Sequence, residues 1–237
     1  MFSAQVRGVI SLRKFPLPEY DILPENVLPV VFLGYHLFPY GSCVALDLDA
    51  GFFRLTREVI QHGHRRIVLV PREFEPVGEM ALIASGFERA MNEAGLPIDR
   101  QASEDAEGIA SDAWQKARAF LQAHVDPKGP KGRQAATALV CAEYGQALCL
   151  IGVADLMGIR VPRDLSVVCM LSGPMRLQKP NQHVTGIEFD LDLMVRMGFE
   201  VLEEQIRTRR NSISQVRVKP VIERGDSLAP PRLASGE

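Results

Sequence analysis

The sequence predicts an α/β protein built on a doubly wound parallel sheet. Three observations carry that prediction. Short β-branched runs alternate with segments of helical period along all 237 residues. Several of the runs are apolar at consecutive positions, as in strands covered on both faces. AVILMFWYC residues make up 46% of the chain, enough for a sizeable core. Strand followed by helix, repeated, describes βα units.

The strands are expected at Val6–Leu12, Pro29–Gly34, Val44–Leu48, Arg66–Val70, Thr137–Ala142, Leu165–Met170, Thr185–Phe189 and Val216–Ile222. Helices are expected at Phe52–His62, Glu79–Ala94, Ser111–His124, Gly145–Met157 and Leu191–Ile206. In the second of these, Met80, Ile83, Phe87 and Met91 recur at spacings of three and four and make one face. Ala113, Trp114, Ala117 and Leu121 do the same in the third. Gly63, Gly95 and Gly158 follow helices where a left-handed residue ends the last turn, and Pro97 and Pro162 follow two of them. The stretch DPKGPKGR, residues 126–133, reads as a solvated loop, and the tail after Ser227 reads as frayed.

Composition excludes several classes. Twenty-seven basic and 29 acidic residues leave a net charge of −2, against both disorder and a dedicated nucleic-acid surface. The cysteines Cys43, Cys141, Cys149 and Cys169 form no CxxC pair, and three lie in apolar runs where a thiol acts as a small hydrophobe. The five histidines show no metal-ligand spacing, so neither a metal nor a cofactor is expected. The start of the chain does not read as a secretory signal and no apolar run approaches a membrane span, so the cytoplasm is the expected compartment. GxGxxG after a strand, GxxxxGK[ST] and GxSxG are all missing, and an enzyme is not expected.

Three stretches together resemble the sensor domain of the lactose/galactose-repressor family of bacterial transcription regulators. In residues 29–70, an apolar strand leads into Val44, Asp47 and Gly51, then Gly63–Ile67, similar to the family's V-x-x-D-x-x-x-G, helix and G-H-R-R-I. Residues 137–168 resemble its T-A-[LI] strand, helix and G-x-x-V-P-x-D-[LI]-S-V-V run. Residues 223–231, ERGDSLAPP, resemble its closing R-x-S-x-A-P-P.

The resemblance implies two parallel-sheet lobes of periplasmic-binding-protein type, joined by crossing segments, with a small-molecule effector in a cleft and a homodimer as the assembly. Residues 65–186 with 214–237 are expected in a complete second lobe, and residues 1–64 with 187–213 in an incomplete first one. Two βα units and a helix-turn-helix head normally precede the position of Val6. At roughly 30 residues per unit, about 60 sensor residues are absent, and DNA would be met only through a head outside this chain. Without those units Val9, Ile10, Val30, Val31 and Phe32 are expected to keep apolar area in water, with Val6–Leu12 as an open edge. A free-standing transport-type binding protein with the same fold is the alternative.

The ligand positions that the resemblance implies depart from the family pattern. Ile83 stands three residues before Gly86–Phe87 where an arginine is common, Glu143–Tyr144 replace Asn-Asp, and Leu171 followed by Ser172 replaces an aspartate. A sugar grip needs paired polar groups on buried hydroxyls, so a simple hexose is disfavoured. The expected ligand contacts are Arg72, Ile83, Glu143, Tyr144 and Ser172. Glu143 and Tyr144 remain open between two roles, holding a hydroxyl, amine or ring, or capping the helix that follows.

Overall fold

The apolar runs are strands in the structure, a computed structural model that describes residues 6–12, 28–34, 41–72, 78–110, 112–126, 128–171, 183–209 and 212–232. They form two sheets, and the chain divides into two compact units.

The first unit, Met1–Asp47 with Phe189–Pro220, holds a parallel sheet of β1 (Val9–Ser11), β2 (Val30–Gly34), β3 (Ser42–Leu46) and β8 (Gln215–Val218), in that order. Helix α6 (Leu191–Thr208) lies on this sheet, its first turn capped by the Asp190 carboxylate, which accepts from the Leu193 N–H at 2.7 Å. Close approach depends on glycine here: a Cβ at Gly198 would stand 2.6 Å from Leu33 Cδ2. Gln205 Nε2 donates to Ser42 Oγ at 2.6 Å and ties the helix to the start of β3. Two expectations divide at this point. β1 is the edge of the described sheet, as expected. Val31 and Phe32, however, are 0% and 2% exposed rather than open to water, and Val9, Ile10 and Val30 are half-buried. Val31 and Phe32 point to opposite faces of the strand, so both faces of β2 are covered within the chain.

The second unit, Leu48–Glu188 with Val221–Glu237, carries β4 (Ile67–Val70), β5 (Ala138–Cys141), β6 (Ser166–Met170) and β7 (Thr185–Glu188) in parallel, with β9 (Val221–Glu223) antiparallel to β7. Around them run α1 (Leu48–Gln61), α2 (Glu79–Glu93), α3 (Arg100–Asp105), α4 (Trp114–His124) and α5 (Tyr144–Leu156). The predicted stripe on α2 is core: Ile83, Phe87 and Met91 are at most 1% exposed, each side chain contributing about 1.5–3 kcal/mol by burial. α1 packs tightly against α2 because Gly86 has no side chain; a Cβ there would meet Asp49 O at 2.3 Å. Gly63, Gly95 and Gly158 have positive φ, as their helix-ending positions require.

Several elements differ from the sequence reading. α1 starts at Leu48 and packs on α2, so residues 48–61 go with the second unit. The single strand expected over 216–222 is two, β8 with the first sheet and β9 with the second, separated by Lys219–Pro220, where proline has no N–H to continue a ladder. α3 was not expected. It is six residues long, and the Asp99 carboxylate accepts from Ala102 N–H at its start. Trp114 is 48% exposed, whereas Ala117 and Leu121 are buried as expected, joined by Phe120 and His124. The tail is not frayed as far as Arg232, which pairs with Asp164 at 3.0 Å. The four cysteines are buried thiols, and burial raises that of Cys141 well above its ordinary value.

Candidate functional site

Each parallel strand of the second unit leaves its last residue at the same end of the sheet, and polar side chains gather there. Arg72 stands two residues past β4 and Glu143 two residues past β5. Arg72 Nε donates to Glu143 Oε1, and a second guanidinium nitrogen of Arg72 donates to Glu79 Oε2 at 3.1 Å. Glu79 opens α2, Glu143 is the cap of α5, and both carboxylates therefore sit at the positive ends of helices. The Glu79 side chain is 4% exposed, and a carboxylate so buried is held by its paired guanidinium. The Arg72 side chain is 19% exposed and that of Glu143 43%.

The cap of α5 fixes Glu143 twice over. Its carboxylate faces the N–H of Gln146 while the Gln146 side-chain carbonyl accepts from Glu143 N–H at 3.1 Å, a reciprocal capping box. The Gln146 amide donates its other end to Pro71 O at 2.6 Å, tying the exits of β4 and β5 together next to Arg72.

Of the expected ligand contacts, the fold brings Arg72 and Glu143 together. It buries Tyr144 at 4% exposure among the apolar residues of the second unit. It buries Ile83 completely, on the core face of α2. Leu171, past the end of β6, is 2% exposed, and Ser172 lies outside the described residues. Glu79 was not expected; the only signal available was a carboxylate after Gly78, at a helix start. A shallow depression of about 510 Å³ along α2, lined among others by Ala84, Ser85, Glu88 and Asn92, includes none of the three charged residues. Its lining comes from a single helix, and the strand ends are the candidate site instead.

At the opposite end of the same strands lies a second polar cluster. His64 Nε2 is 2.8 Å from Ala229 O, which can only accept, so Nε2 carries the proton and Nδ1 accepts from Thr137 Oγ1 at 2.9 Å. Ser166 Oγ lies 3.1 Å from His64 Nε2 and accepts from Ala229 N–H at 3.1 Å. Burial lowers the pKa of His64, opposed by the hydrogen bond to Ala229.

The pattern of periplasmic binding protein-like domains matches residues 56–227, most of the chain. The chain belongs to that family. Among curated relatives, the HTH-type transcriptional repressor PurR of Shigella dysenteriae is 26% identical over 229 residues, covering 94% of this chain and 64% of its own length. The chain thus spans under two thirds of the length of that relative. Among solved structures, a transcription regulator from Lactobacillus plantarum superposes with a TM-score of 0.75 at 20% identity, covering 95% of this chain and 82% of that one. A LacI-family regulator from Enterococcus faecium with bound ribose gives 0.74 at 16% identity, covering 96% and 81%. The complex of the transcriptional regulator CelR with cellobiose gives 0.70 at 23% identity, covering 94% and 66%. The match to the periplasmic binding protein-like domain and the regulators among the relatives bear out the resemblance to the lactose/galactose-repressor family, and the solved structures bear out the α/β fold class. No helix among the described residues is long and apolar enough to cross a membrane.

Proposed function

We propose that this chain is the effector-sensing domain of a lactose/galactose-repressor-type transcription regulator, a binding protein rather than an enzyme. It would bind a small molecule in the cytoplasm and work as a homodimer. The observation that carries the reading is the Arg72–Glu79–Glu143 cluster at the carboxyl ends of adjacent parallel strands, where open α/β sheets take their ligands. The regulator character of the relatives favours this over a transport-type binding protein. Arg72 and Glu143 contact the effector directly, while Tyr144 and Ile83, buried in the core, support the elements that carry them. Ser172 belongs to the same proposed set.

Calorimetry against a metabolite panel tests the proposal. A binder whose affinity falls at least roughly tenfold, about 1.4 kcal/mol, in Glu143→Ala and Arg72→Ala supports it. A binder indifferent to both substitutions refutes it. Unmodified hexoses are expected to bind no tighter than about millimolar, because Ile83 and Leu171 stand where the resemblance implies polar groups and are buried instead. With a net charge of −2, these residues alone are not expected to shift duplex DNA sequence-specifically at physiological salt.

A further inference from the structure

We infer that the effector meets this site with a protonated nitrogen and carries neither phosphate nor carboxylate; the inference rests on the site assignment above. Three features at the exits of β4 and β5 would ordinarily draw an anion: the guanidinium of Arg72, the amino end of α2 and the amino end of α5. The chain sets a carboxylate of its own against each. Glu79 occupies the start of α2 and takes one nitrogen of Arg72 at 3.1 Å. Glu143 caps α5 and takes Arg72 Nε. An anionic ligand would bring a third negative charge to one guanidinium and would have to displace a carboxylate from a helix end that already suits it.

What the cluster presents outward is of the opposite kind. Among the described residues it sets two carboxylates on one guanidinium, and the carboxylate nearer to solvent is that of Glu143, with a side chain 43% exposed against 4% for Glu79. A carboxylate only accepts hydrogen bonds, and its strongest partners are charged N–H donors. Its position is set by the capping box with Gln146 and by Arg72, so a donor arriving there meets an acceptor already oriented. An ammonium or amidinium group gives that acceptor a charge-assisted bond, and a neutral hydroxyl gives it only an ordinary one.

The test titrates ligands of different charge calorimetrically into the whole chain: glucosamine, glucose and glucose 6-phosphate as a series of similar shape, and agmatine, spermidine, citrate and inorganic phosphate as cations and anions without a sugar ring. The expected result is that an amine-bearing member binds at least roughly tenfold tighter than its neutral counterpart, the worth of one charge-assisted contact. Anionic members are expected not to compete. Glu143→Gln keeps size and helix-capping oxygen, and it should erase the amine preference with the melting temperature little changed. An anionic or neutral member binding best, with that binding weakened by Glu143→Gln, overturns the charge assignment while leaving the site in place. Binding that Glu143→Gln leaves unchanged, or no binding in either series, overturns the site assignment and this inference with it.

Discussion

At the amino ends of β4, β5 and β6, His64 and Ser166 are 1% and 0% exposed, and their polar atoms meet Thr137 and the backbone of Ala229. At the carboxyl ends of β4 and β5, the Arg72–Glu79–Glu143 cluster leaves the Glu143 side chain 43% exposed. Both clusters gather polar side chains from residues flanking the same strands. What separates them is the segment running from Ser227 to Arg232, which closes over the amino ends. Ser227 Oγ accepts from Thr185 N–H at 2.9 Å and donates to Val167 O at 2.5 Å, and Ala229 completes the contacts of His64. One end of the sheet uses its polar groups to hold the fold, and the other leaves a carboxylate exposed, where the proposed effector would meet it.

Removing the histidine is the strongest way to break this contrast. His64→Ala deletes a buried ring and removes one hydrogen-bond partner each from Ala229 O and Thr137 Oγ1, and we expect a loss of about 3 kcal/mol in chemical denaturation. Effector affinity should stay as in the parent chain. An equal loss of affinity would show that the two ends do not act separately.

Ser227→Ala probes the same closure more gently. It strands the buried Thr185 N–H, for about 1–2 kcal/mol. Hydrogen exchange should then quicken in β7 before it does in β4. Uniform exchange across the sheet would mean that the tail is not what holds this end.

Glu143→Ala is the corresponding change at the open end. The lost cap costs about 1 kcal/mol of stability, less than at His64, while effector binding weakens by more than any change at the amino ends produces. Measuring melting and affinity on the same preparations sharpens the comparison: the two ends should rank in opposite order in the two assays.

How much of this was legible in the sequence follows from how local each feature is. β2 to β6 were readable because a strand covered on both faces is a continuous apolar run, and SVVCM or SCVAL needs no knowledge of its neighbours. α2 was readable because its buried side recurs every three or four residues. α3 was missed because six residues give too few turns for periodicity, leaving only the Asp99 cap as a signal. The division of 215–223 into β8 and β9 turns on which sheet each half joins, and only Pro220 hinted at it. At the site, Arg72 and Glu143 were readable as strand-end positions, but their ion pair joins residues 71 apart in sequence. Glu79 lay hidden in the first turn of an amphipathic helix, where an acid is ordinary. The closure by Ser227 and Ala229 depends on strand starts converging, and the tail alone read as frayed because LAPP has neither helical nor strand period.

The smallest effect is a pH dependence, and its sign separates the two ends once more. Burial lowers the pKa of His64 below its ordinary 6.5. The unfolded chain therefore binds a proton at this residue more readily than the folded one. Stability from the neutral ring is complete above about pH 6.5 and declines as pH falls from there toward the folded value, by at most about 1.4 kcal/mol per pH unit for one proton. Asp99, Asp105 and Asp164 also have lowered pKa values, but from an ordinary 3.8. Hydrogen bonding from Lys131 is the main cause at Asp99 and from Gln101 at Asp105; at Asp164 the contacts of Arg160 outweigh a desolvation that acts the other way. Those carboxylates lose their contribution only below about pH 3.8, so the interval from pH 6.5 to 5 isolates histidine. Urea denaturation of the parent chain and of His64→Gln across that interval gives the test. The parent should lose stability more steeply than the variant as pH falls, the difference being the proton that the closed end refuses. Parallel slopes would show that the ring accepts its proton in place, with Thr137 turning its hydroxyl to receive the new N–H, and that the amino end is less tightly closed than its hydrogen bonds indicate.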